Sequence, residues 1–126
     1  MRGVEDLMMD TIERPGFVDA LLDFCTDVLI DYGKALMDAG AHVLILGEAL
    51  CSPGMISPKY YARTIVPRQQ RMVRALNGHN RDCPLFMHIC GDISSIISTI
   101  VVGLMKFAVP TWTAIAPVTR NSKASR

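Results

Sequence analysis

Apolar side chains recur every three or four residues through the first third of the chain. The recurrence starts just after Pro15, which suits the first turn of a helix because its missing N–H needs no partner there. Gly40 follows as a C-terminal stop signal. The apolar stripe contains Phe17, Leu21, Phe24, Val28, Tyr32, Ala35 and Ala39, and the acidic stripe contains Asp19, Asp23, Asp27 and Asp31. The pattern predicts an amphipathic helix after a first helix in residues 1–14, with Cys25 on its apolar side, in the core.

Two short apolar runs, residues 42–47 and 84–89, alternate with helical segments. Continuous apolar runs beside helices are typical of strands buried on both faces of a parallel sheet. Between them, Ser57-Pro58 predicts an N-cap followed by proline at the first helical position. The helix that starts there runs toward residues 77–78, and Pro67 is expected to kink or divide it.

After the second apolar run, Asp92 is expected to cap a helix from Ile93 to about Val102, and residues 106–109 are a candidate third strand. Repeated βα units produce a parallel α/β sheet. A closed eight-stranded barrel takes about 250 residues, so the chain is either a small open α/β layer or a segment of a barrel. We expect one domain in residues 1–109 and a poorly ordered tail in residues 110–126.

The composition indicates a core-forming protein, with 50% hydrophobic residues in a chain of 126. We find neither an apolar run of the about 18 residues that a membrane helix needs nor a signal peptide. Four cysteines without an export signal indicate reduced thiols or metal ligands, and therefore a cytoplasmic protein.

Charge is unevenly distributed, although the net charge is only +1 and gives no global field for nucleic acid. Ten of the twelve acidic residues lie in residues 1–48, and ten of the thirteen basic residues lie from Lys59 onward. Two interpretations remain open: an anionic ligand near the second half, or two solvated helix faces of opposite charge. The basic segment lacks the interleaved aromatic residues of a nucleic-acid site.

Candidate chemistry lies where the two predicted strands end, because functional groups of parallel α/β folds gather at the carboxyl ends of strands. His88 and Cys90 are two residues apart in an extended segment and point to the same side. Imidazole and thiolate are ligands suited to zinc. The alternative is a buried thiol beside a hydrogen-bonded histidine. Glu48 and Cys51 follow the first strand.

Several segments of the sequence together resemble the uroporphyrinogen decarboxylase superfamily, and within it the corrinoid:coenzyme M methyltransferase branch. The resemblance spans about Pro15 to Ile100 and is carried by residues 38–48 (DAGAHVLILGE), residues 56–61 (ISPKYY), Pro67 and residues 88–92 (HICGD). Members of this superfamily are complete (β/α)8 barrels. The resemblance therefore implies an α/β fold that is a partial (β/α)8, TIM-barrel-like segment, with about three parallel strands and three to four helices.

The His-x-Cys-Gly motif implies zinc-ligand roles for His88 and Cys90, since these two residues ligate zinc in the methyltransferases. The resemblance also implies a small thiol substrate such as coenzyme M and a corrinoid methyl donor carried by a partner protein. Glu48, at a strand end on the same side, is the candidate catalytic residue, as a further ligand, a partner to a ligand or a proton acceptor. A solvated loop carboxylate is the alternative.

The family takes its third protein ligand from a downstream cysteine, but no cysteine follows Cys90 in this chain. Cys51 emerges after the first strand and is a candidate replacement ligand. An ordinary loop cysteine is the alternative.

Three functions remain open on the sequence alone. The first is zinc-dependent methyl transfer from a corrinoid to a thiol, and the second is uroporphyrinogen decarboxylation in porphyrin biosynthesis, which needs no metal. The third is an inactive truncated domain that acts through association with another copy or a complementing chain. A barrel segment exposes sheet edges and apolar helix faces, so we expect weak activity, or none, from the segment alone.

Overall fold

The computed structural model describes residues 3–48, 54–90 and 92–100, except for the side chain of Glu48. The predicted third strand, the end of the helix predicted after Asp92 and the C-terminal tail lie outside the described residues. The elements, in chain order, are helix α1 (Val4–Glu13), helix α2 (Pro15–Asp38), strand β1 (Leu44–Glu48), helix α3 (Pro58–Tyr60), a π-helical turn (Tyr61–Ile65), helix α4 (Val66–His79) and strand β2 (Leu85–Ile89).

Helix α2 begins and ends where the sequence predicts. Pro15 is its first residue, and Gly40 follows its end with a φ of 94°. The N–H of Gly40 donates to the Met37 carbonyl, and the N–H of Ala41 donates to the Leu36 carbonyl. This pair of bonds is the Schellman arrangement, which needs a left-handed residue and therefore favours glycine.

The segment between the strands is divided before Pro67, as predicted. The Ser57 side chain accepts a hydrogen bond from the backbone N–H of Tyr60 at 3.2 Å, which confirms the N-cap. A π-helical turn then precedes α4, where Pro67 is the second residue and has no N–H to offer the preceding turn. The buried Tyr61 hydroxyl bonds to Gln69 Oε1 at 2.9 Å and ties the two parts together.

Strands β1 and β2 pair in parallel, with Leu44 opposite Leu85 and Glu48 opposite Ile89. The helical segment from Pro58 to His79 connects them. This βαβ arrangement confirms the predicted parallel α/β sheet, and both strands end at the same edge.

The main core lies between the sheet, α2 and α4. Its buried members include Ile30, Met37, Leu44, Met72, Val73, Leu76, Cys83 and Leu85. Helices α2 and α4 approach closely at Gly33, where an added Cβ atom would lie 2.7 Å from Leu76 Cδ2. Glycine at this position therefore permits the helix packing that fixes the sheet.

The predicted core-facing side of α2 is wrong. The residues that α2 buries are Val18, Thr26, Ile30, Gly33 and Met37. Phe24 and Tyr32 of the predicted stripe are 65% and 62% exposed, and Cys25 is exposed as well. The reason is that α2 carries apolar residues on two opposite sides, and α4 packs on the side where Gly33 permits close approach.

The acidic and basic segments of the sequence bind each other, which neither interpretation of the charge pattern foresaw. Arg68 lies 3.1 Å from Asp19 and 2.9 Å from Asp23. Arg71 lies 3.2 Å from Asp27. The hydrogen bond from Arg68 lowers the pKa of Asp23. The acidic face of α2 is therefore held against α4.

The two strands are covered on one face only within the described residues, so the prediction of burial on both faces is wrong for them. Leu44 and Leu85 are buried, whereas Ile45 and Phe86 are 71% and 43% exposed. The reason is that α2 and α4 pack on the same side of the sheet. A search of the described residues found no helix with the length and apolar character needed to cross a membrane.

Candidate metal site

The two candidate ligands lie at the carboxyl end of β2. His88 is the next-to-last residue of this strand, and Cys90 follows it directly. In the parallel register His88 lies opposite Gly47, so the pair lies beside the carboxyl end of β1 as well. Alternation along the strand turns both side chains to the sheet face that α2 and α4 leave open.

The side chains of His88 and Cys90 converge, as the sequence predicts. His88 Nε2 and Cys90 Sγ are 3.4 Å apart, and both residues are exposed. The alternative of a buried thiol beside a hydrogen-bonded histidine is wrong in its first part, since Cys90 is open to solvent, whereas His88 Nε2 does lie within hydrogen-bond distance of the thiol. A tetrahedral zinc ion with bonds of about 2.3 Å to sulfur and about 2.0–2.1 Å to nitrogen holds the two donor atoms about 3.5 Å apart. The observed separation fits two adjacent corners of such a site.

Gly47 leaves space beside His88. A Cβ atom built on Gly47 meets no described atom within 4 Å. Positive φ occurs, among the described residues, only at Gly40, so the backbone of Gly47 suits any residue. Glycine inside a strand lowers stability and often marks a place where a ligand approaches the backbone closely. Sequence reasoning missed this residue, although a glycine inside an otherwise apolar strand was a usable signal.

Asp92 has a structural role after the candidate ligands. Its Oδ1 atom accepts a hydrogen bond from the Ser94 backbone N–H at 2.9 Å and another from the Ser94 hydroxyl. Both bonds lower the pKa of Asp92, and the bond from the Ser94 hydroxyl has the larger effect. A turn follows at residues 94–96, and residues 97–100 are helical. Asp92 therefore closes a turn, and the helix begins four residues later than the predicted start at Ile93.

The structure does not complete the ligand set. Glu48 is the last residue of β1, but its side chain and Cys51 lie outside the described part of the protein. Within that part, no group of three or more His, Cys, Asp and Glu residues is arranged to hold a metal ion. Glu48 and Cys51 therefore stay predictions.

The other cysteine and histidine side chains of the described ranges lie elsewhere. Cys83 is buried in the core, before the amino end of β2. Cys25 is exposed on α2. His79 ends α4 and lies 2.7 Å from Asp38 Oδ1, and His42 is exposed before β1.

Comparison with known proteins finds relatives over most of the chain. A methylated-thiol:coenzyme M methyltransferase from Methanosarcina mazei is 33% identical over 95 residues, which are 75% of this chain and 24% of that protein. A uroporphyrinogen decarboxylase from Microcystis aeruginosa is 28% identical over 79 residues, 63% of this chain and 22% of that protein. The chain thus spans about a quarter of the length of these relatives.

A solved structure shows the same fold. A methyltransferase from Methanosarcina mazei superimposes with a TM-score of 0.73 and 25% sequence identity, over 81% of this chain and 29% of that protein. The chain is thus a partial, TIM-barrel-like α/β segment, as the sequence predicts. The family model for uroporphyrinogen decarboxylase (URO-D) matches residues 1–115. Because this match covers most of the 126 residues, the chain belongs to the uroporphyrinogen decarboxylase family.

Proposed function

We propose that the protein takes part in methyl transfer from a corrinoid to a thiol such as coenzyme M, with His88 and Cys90 as zinc ligands. The observation that carries this proposal is the 3.4 Å approach of His88 Nε2 to Cys90 Sγ at an exposed strand end. Similarity to a coenzyme M methyltransferase supports the substrate class.

The donor set supplies the chemistry that this reaction needs. A zinc ion held by His88 and Cys90 would keep positions for further ligands and would lower the pKa of a thiol bound to it, so that the thiolate would be present at neutral pH. This thiolate would form a bond to the methyl carbon of the donor as the cobalt–carbon bond breaks, and the electron pair of that bond would stay with the corrinoid. His88 and Cys90 hold the ion, and the open space at Gly47 admits the thiol beside them.

The remaining assignments belong to the same proposal. Cys51 is the candidate third ligand, because it follows β1 closely in the sequence and β1 ends beside His88. Glu48 is the candidate catalytic residue at the end of the same strand. The corrinoid is carried by a partner protein, and free thiols favour the reducing cytoplasm as the location. Replacement of Cys51 with Ala is expected to lower zinc retention, and unchanged retention would contradict its role.

Methyl transfer is tested directly with methylcobalamin as donor and coenzyme M as acceptor. The absorbance of cob(I)alamin under anaerobic conditions measures the conversion. From the segment alone we expect weak conversion at most, and we expect His88→Ala and Cys90→Ala to abolish it. Cys25→Ser and His42→Ala are matched controls, because these residues are exposed and lie outside the ligand pair. Conversion at equal rates in all four variants would contradict the proposal.

Uroporphyrinogen decarboxylation is the second candidate, favoured by the similarity to a uroporphyrinogen decarboxylase over 79 residues. This reaction needs no metal, so it gives no reason for the convergence of His88 and Cys90. Release of carbon dioxide from uroporphyrinogen, at a rate independent of Cys90→Ala, would favour this candidate over methyl transfer.

A further inference from the structure

A second, smaller hydrophobic cluster lies at the carboxyl end of β2, and we call it the strand-end cluster. It joins the π-helical turn and the start of α4 to the end of β2 and to the residues that follow Asp92. Its buried members are Tyr61, Val66 and Ile96, and Ile56, Ile65, Ile89, Ile93 and Ile100 pack against them. The segment that carries Cys90 is therefore flanked on both sides by residues of one cluster.

Ile89 connects the strand-end cluster to the two candidate ligands. It stands between His88 and Cys90 in the sequence, and strand alternation turns its side chain to the opposite face of the sheet. The paired register of the strands ends with Glu48 opposite Ile89, so Cys90 follows the last pair. The position of Cys90 relative to His88 thus depends on how firmly Ile89 is held.

We propose that Ile89 and Tyr61 are positioning residues of the metal site, which keep His88 and Cys90 in the arrangement that zinc needs. This inference rests on the proposed zinc site and deepens it. Ile89 is anchored one residue before Cys90, and Ile93 is anchored three residues after it. Because a chain spans at most about 3.3–3.6 Å per residue, the two anchors limit the movement of Cys90.

The π-helical turn supplies the buried centre of the strand-end cluster. The Val66 backbone N–H donates to the Tyr61 carbonyl, which lies five residues earlier and therefore on the same side of the turn. In a regular α-helix, with about 100° per residue, residues five apart would point about 140° away from each other. The wider turn thus lets both Tyr61 and Val66 join the cluster. Single π-helical turns are frequent at functional sites.

Tyr61 is held at both ends, which makes it a firm support. Its backbone N–H donates to the Ser57 carbonyl at 2.9 Å, and its hydroxyl donates to Gln69 Oε1 at 2.9 Å. Tyr61 is completely buried, and Gln69 is 2% exposed. A buried polar bond of this kind fixes the orientation of the ring. The cluster on which Ile89 packs therefore has a fixed shape.

Titration of the full, metal-free chain with Co²⁺ tests the proposal, because the absorbance of bound cobalt reports both affinity and coordination by the thiolate. We expect Ile89→Ala to weaken cobalt binding at least about tenfold and to lower the thiolate-to-cobalt charge-transfer absorbance at saturation. Leu36→Ala is the matched control, because Leu36 is also partly buried but packs against the main core. It should leave the affinity within about twofold. Far-UV circular dichroism confirms that each variant is folded.

Conservative variants separate positioning from general stability. Ile89→Leu keeps the volume of the side chain and should restore most of the affinity that Ile89→Ala loses. Tyr61→Phe removes the hydroxyl bond to Gln69 and should weaken cobalt binding by a smaller factor than Ile89→Ala. Ile89→Val should act in the same direction, and it replaces Ile89→Ala if that variant does not fold.

The outcomes distinguish this inference from the proposed function. Equal affinity in wild type and in folded Ile89 variants, or an equal loss in Leu36→Ala, would overturn the positioning role and leave the zinc site standing. A wild-type protein that binds no cobalt would overturn the zinc site and the positioning role together.

Discussion

Leu76 and Gly33 form the contact that fixes the sheet against its helices, and truncation of Leu76 to Ala tests how tightly it is packed. Leu76 is completely buried, and it faces a residue without a side chain. Buried Leu→Ala changes cost about 2–5 kcal/mol, with larger values where the surroundings cannot relax into the cavity. Because Gly33 has no side chain that could fill the cavity left by Leu76→Ala, we expect a loss of about 3–4 kcal/mol in the free energy of unfolding.

The Gly33→Ala change makes the test specific to this contact. In the native background the new Cβ atom would lie 2.7 Å from Leu76 Cδ2. The overpacking costs about 1–3 kcal/mol of stability. This cost cancels or exceeds the gain of about 1 kcal/mol from the higher helix propensity of alanine. In the Leu76→Ala background the clash is absent, so Gly33→Ala should stabilise by about 1–2 kcal/mol through propensity and cavity filling.

Wild type, Leu76→Ala, Gly33→Ala and the double variant form a double-mutant cycle. Urea unfolding, monitored by far-UV circular dichroism, measures the free energy of unfolding of each of the four proteins. Leu29→Ala, at an exposed position of α2, is the control and should change stability by no more than about 0.5 kcal/mol. Leu76→Val is a milder variant that keeps the cycle measurable if Leu76→Ala unfolds. If Gly33→Ala has the same effect in both backgrounds to within about 0.5 kcal/mol, the proposed packing is refuted.

Three further predictions concern single sites. Asp23→Asn should destabilise the protein at neutral pH, because the lowered pKa of Asp23 means that folding favours its charged form. The stabilisation by charged Asp23 is present above about pH 4 and is lost as the pH falls through the pKa of the folded state. The difference between Asp23→Asn and wild type in the free energy of unfolding, measured with urea, should therefore become smaller in acid. A difference that does not change with pH would contradict this prediction. Ser57→Ala should remove the N-cap before α3 and cost about 0.5–2 kcal/mol by the same assay, with Ser95→Ala, exposed elsewhere, as control. Gly47→Val should keep the fold and zinc but weaken thiol binding, measured as the shift of the visible spectrum of the cobalt-substituted protein on titration with coenzyme M; equal titration curves would exclude a role for the open space.

Local chemistry made the element boundaries predictable. Pro15, Gly40 and the Ser57-Pro58 pair act through the N–H groups and backbone angles of their own neighbourhood, so their effects can be derived from the sequence. The π-helical turn before Pro67 also has a local cause, because proline has no N–H to offer the preceding turn. The convergence of His88 and Cys90 was predictable for this reason too, since it depends on strand alternation over three residues.

Contacts between distant segments were not predictable in this way. The periodicity of α2 revealed an apolar side but not which of two such sides meets the core. That choice depends on Gly33 fitting Leu76 and on Arg68 reaching Asp23, which lie more than 40 residues apart in the sequence. A third metal ligand poses the same problem, because loop geometry and not strand alternation decides whether Cys51 reaches His88.

The central claim is that His88 and Cys90 bind zinc, and elemental analysis of the purified, monodisperse protein tests it most directly. The account predicts close to one zinc per chain in protein prepared without chelator. It also predicts loss of the metal in His88→Ala and Cys90→Ala, and retention in His42→Ala and Cys25→Ser. Absence of zinc from the folded protein, or zinc that both ligand variants retain, would contradict the account.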